Sequence, residues 1–415
     1  MQYNQIVQYL ESLTVMPKTM PGLEKIRSAV ARKNWFSKIE PRQVITIAGT
    51  NGKGTTAAGL EALLLSEGKK VGLYTSPHLV STTERIRLNG CDISEAAFTK
   101  LFLENKVIIE EVGLSHFESL TLMAADYFFT QELDYIVFEV GLGGSYDATN
   151  IFPNHYAVIT KIGLDHENIL GHNLVDIARN KFGIIKKNAV VVHHALDPVL
   201  DGLVSEVQAK TKSRWIETEK NETSYSPENL EWGSASFVTN LIGPRAIENL
   251  STAITLFKEL GFDFEKNKHA LKNIRWPGRM QKIAWPDSNC PVYLSGDHNP
   301  QGIDSLIEIL KYYHYENLHL IVGIGADKAC DIILKKLLSI PRAKLYLTET
   351  PFKGRKLLDY PVFARNEAIL MNPQAIHLLD VLDTNVSDLV VVTGSLYLIG
   401  NILAGLDSIK LRHGK

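Results

Sequence analysis

The stretch IAGTNGKGTT, residues 47–56, sets Gly49, Gly52 and Gly54 around Lys53 and follows them with Thr55. These residue types suit the holding of phosphate. Glycines let backbone N–H groups approach phosphate oxygens, a helix N-terminus adds partial positive charge, a lysine serves the terminal phosphates, and a threonine hydroxyl can ligate magnesium. The spelling is altered. The usual loop reads G-x-x-x-x-G-K-[ST], whereas here Gly49 stands three residues before Gly52 and Gly54 separates Lys53 from Thr55. The surroundings are those a phosphate cradle needs: the apolar run QVITIAG leads into the turn Gly49-Thr50-Asn51-Gly52, and an amphipathic helix is expected from near Gly54.

Other residues could act with this loop. Glu139 ends an otherwise apolar run, Tyr135 to Val140. Ligands of open α/β sheets bind outside the carboxyl ends of strands, so this carboxylate either faces the phosphates and holds magnesium or simply meets solvent. Asp165 and His166 in ITKIGLDHEN repeat the placement, as metal ligands or as structural side chains. In NLVDIARNKFGI, Leu174, Ile177, Ala178 and Lys181 follow helical spacing, which puts Lys181 on the apolar stripe. Burial there lowers a lysine pKa, and a neutral amine can take up carbon dioxide as a metal-binding carbamate; the alternative is a side chain that snorkels to solvent. Asp297, His298 and Asn299 occupy a turn before PQGIDSLIEIL, where they could approach phosphate or a nucleophile, or make turn and cap hydrogen bonds. Gly394 and Ser395 in LVVVTGSLYLIG read as a structural turn.

The elements that must position these residues follow from hydrophobic patterning. QVITIAG, KVGLYTS, DYIVFEVG, YAVITKIG and AVVVHH, then CPVYLSG, LHLIVGIG, AKLYLTE and DLVVVTGS, are short Val-, Ile- and Leu-rich runs separated by helix-length segments. This is the pattern of α/β proteins, with mostly parallel sheets covered by helices on both faces. IENLSTAITLFKELG predicts a helix with Leu250, Ala253, Ile254 and Phe257 on one stripe. Pro277 and Gly278 in RWPGRMQK then break the chain, so residues 1–275 and 280–415 are expected as separate domains. Residues 217–234 are polar enough for a loop or an irregular hairpin, and MQYNQIVQYLESL reads as a surface helix.

Composition excludes other classes. The 415 residues allow two or three domains. With 44 Lys plus Arg against 46 Asp plus Glu, the chain has no basic field for nucleic acid. Cys91, Cys290 and Cys330 form no disulfide framework or zinc spacing, and no apolar run reaches membrane-spanning length. The N-terminus lacks the features of a signal peptide. A soluble, cytoplasmic monomer is expected.

AGTNGKGT, SPHL with ERIRLNG, EVGLGG.YDATNI, IGLDHENILG, WPGRM, HNPQG and VTGSLYLIG occur in an order that resembles the folylpolyglutamate synthase and dihydrofolate synthase family, within the muramyl-type amide ligases. The resemblance runs from MPGLEKIRSAV to about residue 404. It implies a P-loop ATPase-type N-terminal domain and a smaller Rossmann-like C-terminal domain. It further implies an ATP- and Mg2+-dependent reaction in which a folate or dihydropteroate carboxylate becomes an acyl phosphate and L-glutamate displaces the phosphate. Gly49, Thr50, Asn51, Gly52, Lys53, Gly54 and Thr55 then correspond to the ATP loop. Thr55 and Glu139 would serve the first magnesium. Glu139, His166 and a carbamylated Lys181 would serve the second. Asn249 matches a nucleotide-contacting asparagine, Arg279 an interdomain arginine that reaches ATP, and His298 a catalytic histidine. Closure around WPGR would exclude water.

Some positions depart from the pattern. Ser145 stands where an arginine is usual, Asn180 where an acidic residue precedes the reactive lysine, Ser295 replaces an aspartate and Asp297 an alanine. Two alternatives follow: a muramyl-type ligase with another substrate, disfavoured because the loop begins by residue 49 and leaves no room for a preceding nucleotide-sugar domain, and a nucleotide-binding relative without catalysis.

Overall fold

The computed structural model describes residues 1–14, 22–226, 231–285, 288–351, 354–371 and 382–413. They form two compact units. The first comprises Met1–Glu222, Ser234–Val238 and Glu248–Ile274, and the second Thr223–Gly233, Thr239–Ile247 and Arg275–Lys415.

The first unit holds eight strands: β1 (Val44–Ala48), β2 (Val71–Tyr74), β3 (Ile86–Leu88), β4 (Cys91–Asp92), β5 (Tyr135–Glu139), β6 (Tyr156–Ile159), β7 (Val190–His193) and β8 (Arg214–Glu217). Their order is β4-β3-β2-β5-β1-β6-β7-β8. β2, β5, β1, β6, β7 and β8 run parallel. β1 and β7 are buried at every residue, because helices cover both faces and leave no solvated side to alternate towards. β3 and β4 add an antiparallel edge that the strand pattern does not predict. Its signal is only the Asn89-Gly90 pair, whose φ values of +50° and +79° suit a two-residue hairpin turn.

The helix Lys53–Ser66 that leaves β1 differs from expectation. It is not amphipathic but is buried on nearly all sides, from Gly54 through Leu64. It packs on β1, β2 and β5 and also against Phe264–Asn267 and Lys268–Asn273. A Cβ on its Gly59 would come 2.5 Å from Leu250 Cδ2, so the helix Pro244–Glu259 lies close against it. The expected stripe of that second helix, Leu250, Ala253, Ile254 and Phe257, is buried. So are Ile6 and Leu10 of the N-terminal helix Tyr3–Ser12.

Within residues 217–234, β9 (Ser224–Ser226) pairs antiparallel with β10 (Glu231–Gly233), which makes the hairpin alternative the correct one; residues 227–230 lie outside the described residues. β11 (Val238–Thr239) completes a small sheet in the order β11-β10-β9.

The main sheet of the second unit contains β12 (Gln281–Ile283), β13 (Val292–Leu294), β14 (Leu318–Val322), β15 (Ala343–Leu347), β16 (Ile369–Leu370) and β17 (Leu389–Thr393) in the order β12-β13-β17-β14-β15-β16. All neighbours are parallel except the edge pair β12 and β13. One core cluster contains Ile303, Leu306, Ile333 and Leu334, and another Leu398, Ile399 and Ile402, so helices cover this sheet too. Cys290 and Cys330 are buried free thiols and Cys91 is an exposed one. No described helix is long and apolar enough to cross a membrane.

Candidate active site

β1 delivers the chain into Gly49, and the turn beyond it is fastened to the segment after β6. Thr50 N–H donates to Lys161 O at 2.8 Å. Its hydroxyl donates to Gly163 O at 2.9 Å and accepts from Gly163 N–H at 3.0 Å. A Cβ on residue 49 would fall 1.8 Å from Thr160 Oγ1, so only glycine fits. Gly52 precedes the helix Lys53–Ser66 with φ +95°, a left-handed conformation that glycine adopts at little cost. A Cβ there would lie 2.1 Å from Asn249 Oδ1, which places the Asn249 side chain against the loop. Thr56 Oγ1 donates to Asn249 O at 3.2 Å and locks the approach. Lys53 Nζ folds back over the turn, donating to Gly49 O at 3.2 Å and Thr50 O at 3.4 Å. Thr55 is buried in the first helical turn.

Three further candidates come to this loop from neighbouring elements. β5 lies beside β1 with Glu139 in register with Ile47, so its carboxylate stands at the carboxyl edge where the loop begins. Thr75 Oγ1 donates to Glu139 Oε2, and Ser76 N–H donates to the same oxygen at 3.1 Å. Lys181 is buried and donates from Nζ to Gly49 O at 2.8 Å, so it does not snorkel. Burial, and then the charge of Lys53, pull its pKa down to about 7. His166 precedes the short helix Glu167–Leu170 with φ +51° and lies 3.9 Å from the Asp165 carboxylate. The pair follows the segment, Thr160 to Gly163, that is bonded to the loop.

Mg2+ suits this donor set. The turn leaves no room for a Cβ at Gly49 or Gly52, opens on a helix N-terminus, and stands beside a buried carboxylate and a buried hydroxyl. Among the described residues, no three or more His, Cys, Asp or Glu are grouped so as to hold a metal ion by themselves.

Arg279 and His298 belong to the second unit. Arg279 Nη1 lies 3.1 Å from where a Gly296 Cβ would stand. His298 Nδ1 is 2.7 Å from Gly296 O; a carbonyl only accepts, so this nitrogen carries the proton. Ser295 Oγ donates to Asp297 Oδ2 at 2.5 Å, and burial raises the Asp297 pKa against that bond and the nearby Arg279 and Arg245. Asn299 caps the helix Pro300–Leu310 by accepting from Gly302 N–H at 2.8 Å. Gly394 turns with φ +96° and donates to Asp297 O, as a structural turn does.

Sequence reasoning missed the residues that hold these groups. Thr75 and Ser76 are ordinary polar residues at a strand end, and only the neighbouring position of β2 and β5 brings them to Glu139. Asp147, inside the DATN motif, is a buried carboxylate accepting from Gly141, Leu142 and Thr149 N–H groups. Arg85 donates from Nε to His78 Nδ1 at 2.8 Å, joining SPHL to ERIR across seven residues.

Residues 47–257, just over half of the chain, match the Mur ligase middle domain. A dihydrofolate synthase/folylpolyglutamate synthase from Buchnera aphidicola is 31% identical over 96% of this chain and 97% of that protein. The chain belongs to the folylpolyglutamate synthase/dihydrofolate synthase family. Its fold superimposes on a bifunctional folylpolyglutamate synthase/dihydrofolate synthase solved with Mn, AMPPNP and L-glutamate at TM-score 0.82, 28% identity and 98% coverage of both chains. It also superimposes on Escherichia coli FolC in complex with DHPP and ADP at TM-score 0.83, 26% identity and 99% coverage of both. For this folylpolyglutamate synthase relative, the matched domain contains the Gly49–Thr55 loop, Glu139, His166, Lys181 and Asn249, whereas Arg279 and His298 lie beyond it.

Proposed function

We propose that this chain is an ATP- and magnesium-dependent ligase that joins L-glutamate to the carboxylate of a folate, of dihydropteroate, or of both. The convergence of Lys53, Lys181, Asn249 and Glu139 on one glycine turn carries the reading. The relatives named above, one bound to AMPPNP and L-glutamate and another to DHPP and ADP, supply the substrate class.

In the proposed reaction a carboxylate oxygen attacks the γ-phosphorus of ATP, the bond to the β-phosphate oxygen breaks, and ADP leaves. The glutamate amine then attacks the acyl carbon, phosphate leaves with the bonding pair, and the nitrogen loses a proton. Gly49 to Gly54 present N–H groups to the phosphates, and Lys53 turns from its backbone carbonyls to the transferring phosphoryl. Asn249 stands against the nucleotide turn, while Thr75 and Ser76 hold Glu139 in one orientation. When bound, magnesium would neutralise charge on the phosphates, with Thr55 and Glu139 to hold one ion and Glu139, His166 and a carbamylated Lys181 to hold a second. Arg279 and His298 act from the C-terminal part, residues 280–415, which we assign to glutamate ligation, and residues 1–275 to ATP. The reading includes a cytoplasmic location and a monomer.

ADP release with ATP, Mg2+ and L-glutamate, compared with dihydropteroate, with tetrahydrofolate and with no acceptor, tests it. A product heavier by one glutamate residue establishes the ligase and its acceptor. Nucleotide binding without product from either acceptor overturns it.

A further inference from the structure

Glu139 and Lys181 stand on separate segments, and the short helical turn Ala148–Ile151 braces one segment against the other. The side chains of the turn reach in two directions. Asp147, which caps it, accepts from Gly141 N–H at 3.0 Å and Leu142 N–H at 2.9 Å, just past the strand that ends in Glu139. Asn150 reaches towards Lys181. Its Nδ2 donates to Ser145 O at 3.0 Å and to Gly183 O at 3.1 Å, and Gly183 closes the helix Leu174–Phe182 that carries Lys181. Its Oδ1 accepts from Lys186 Nζ at 2.5 Å, and the same amine donates to Asn150 O at 2.9 Å. A backbone carbonyl only accepts and an ammonium only donates, so this network admits one orientation of the Asn150 amide.

The clamped segments meet without slack at Lys181. A Cβ on Gly144 would lie 2.7 Å from Asn180 O, 2.8 Å from Lys181 O and 2.9 Å from Lys181 Cα, so the residue before Ser145 rests directly on the Lys181 backbone. The turn itself has little freedom, because Asn150 is buried and Ala148 and Phe152 on either side of it lie in the core. Ser145 N–H and Oγ also donate to Asn180 O, at 2.8 Å and 3.0 Å. Loosening Asn150 therefore leaves the segments attached but free to shift. We infer that Asn150 is a positioning residue: oriented by Lys186, it holds the Gly144–Ser145 segment on the helix end that carries Lys181, and so sets where the Lys181 amine stands against Glu139 and the nucleotide loop. Lys186 belongs to the clamp as the donor that fixes the amide, not as a group that meets substrate. The consequence for turnover rests on the ligase reading; the clamp itself does not.

Asn150→Ala, Asn150→Asp, Lys186→Met and the Asn150→Ala/Lys186→Met double variant test this in the full chain. Asn150→Asp keeps the shape but replaces the donor to two carbonyls with an oxygen. Two quantities are read: kcat and KM for glutamate ligation, and the rate at which an amine reagent modifies Lys181 at one fixed pH, followed by peptide mass spectrometry. Both Asn150 variants are expected to lose roughly 10- to 100-fold in kcat with KM for ATP changed less than about threefold, and to expose Lys181 to faster modification. Lys186→Met should move both readouts the same way by a smaller factor. The double should match Asn150→Ala within about threefold, because Lys186 acts through the amide that Asn150→Ala has already removed. Losses that multiply in the double overturn the inference, as does Asn150→Asp at parental kcat and parental Lys181 modification. A rise in KM for ATP with kcat unchanged also overturns it. If neither Asn150 variant folds, Lys186→Met decides: slower turnover and faster Lys181 modification at a parental unfolding midpoint support the clamp, and parental values in both overturn it. If the parent protein forms no product, the ligase reading fails, and Lys181 modification across the four variants alone decides the clamp.

Discussion

At the residue scale the deciding feature is how many groups the Gly49 carbonyl and its turn collect. Lys53 and Lys181 both donate to that carbonyl, at 3.2 Å and 2.8 Å. Burial is what most disfavours the charge of Lys181, and the second amine around the same oxygen adds to it. Lys53→Ala is expected to abolish ATP-dependent product formation while circular dichroism and the unfolding midpoint stay close to the parent's, because the turn is held by Thr50 rather than by the lysine. Near-normal turnover in that variant would remove the loop assignment. His78 makes a second prediction. Burial, and then the Arg85 charge, lower its pKa to about 3. Its folded pKa therefore lies below the unfolded value near 6.5, so the folded state binds fewer protons across that interval. The stability His78 contributes is present above about pH 6.5 and is lost as pH falls towards 3, with a limiting slope of about 1.4 kcal/mol per pH unit for one proton. His78→Gln should flatten the pH dependence of urea unfolding between pH 6.5 and 4 by up to one proton; an unchanged slope would contradict the neutral imidazole.

At the element scale, the helix Lys53–Ser66 is held where the loop needs it by packing on every side and by one charged contact. Glu61 is 3% exposed and pairs with Arg87 on β3 at 3.1 Å, while Arg87 also meets Asp92 on β4 at 3.5 Å. The antiparallel edge missing from the sequence pattern thus ties down the phosphate-loop helix. Glu61→Ala should cost about 2–3 kcal/mol, because it removes a buried carboxylate from the half-buried Arg87 charge. Replacing both residues, as Glu61→Leu with Arg87→Met, should cost less than the single change. Chemical denaturation decides, and a double variant weaker than the single would show that the tie is more than a compensated charge.

At the scale of the whole molecule, a net charge of -2 leaves no field to draw in a polyanion. Nucleotide affinity must then come from the loop itself. Binding to the folded state alone stabilises it by about 2.7 kcal/mol when free ligand is 100 times Kd. A non-hydrolysable ATP analogue with Mg2+ should therefore raise the unfolding midpoint of the parent, and the rise should disappear in Lys53→Ala. An equal rise in both would place the nucleotide elsewhere.

The sequence by itself determined the α/β class, the nine buried strand runs, the buried stripe of the helix Pro244–Glu259 and the glycine turn, because periodicity and backbone freedom are local properties that residue types report directly. It also placed Lys181 on an apolar stripe, though not the carbonyl it would find there. What only the tertiary structure decided depends on which strands are neighbours. β5 lies beside both β1 and β2, so Glu139 meets the loop on one side and Thr75 and Ser76 on the other. Packing between the sheet and further helical segments turned an expected amphipathic helix into a buried one. The contact of Ser145 with Asn180 crosses 35 residues with no signal at either end. Local patterning records which face of an element avoids water, whereas the identity of the partner on that face is set only when distant segments pack together.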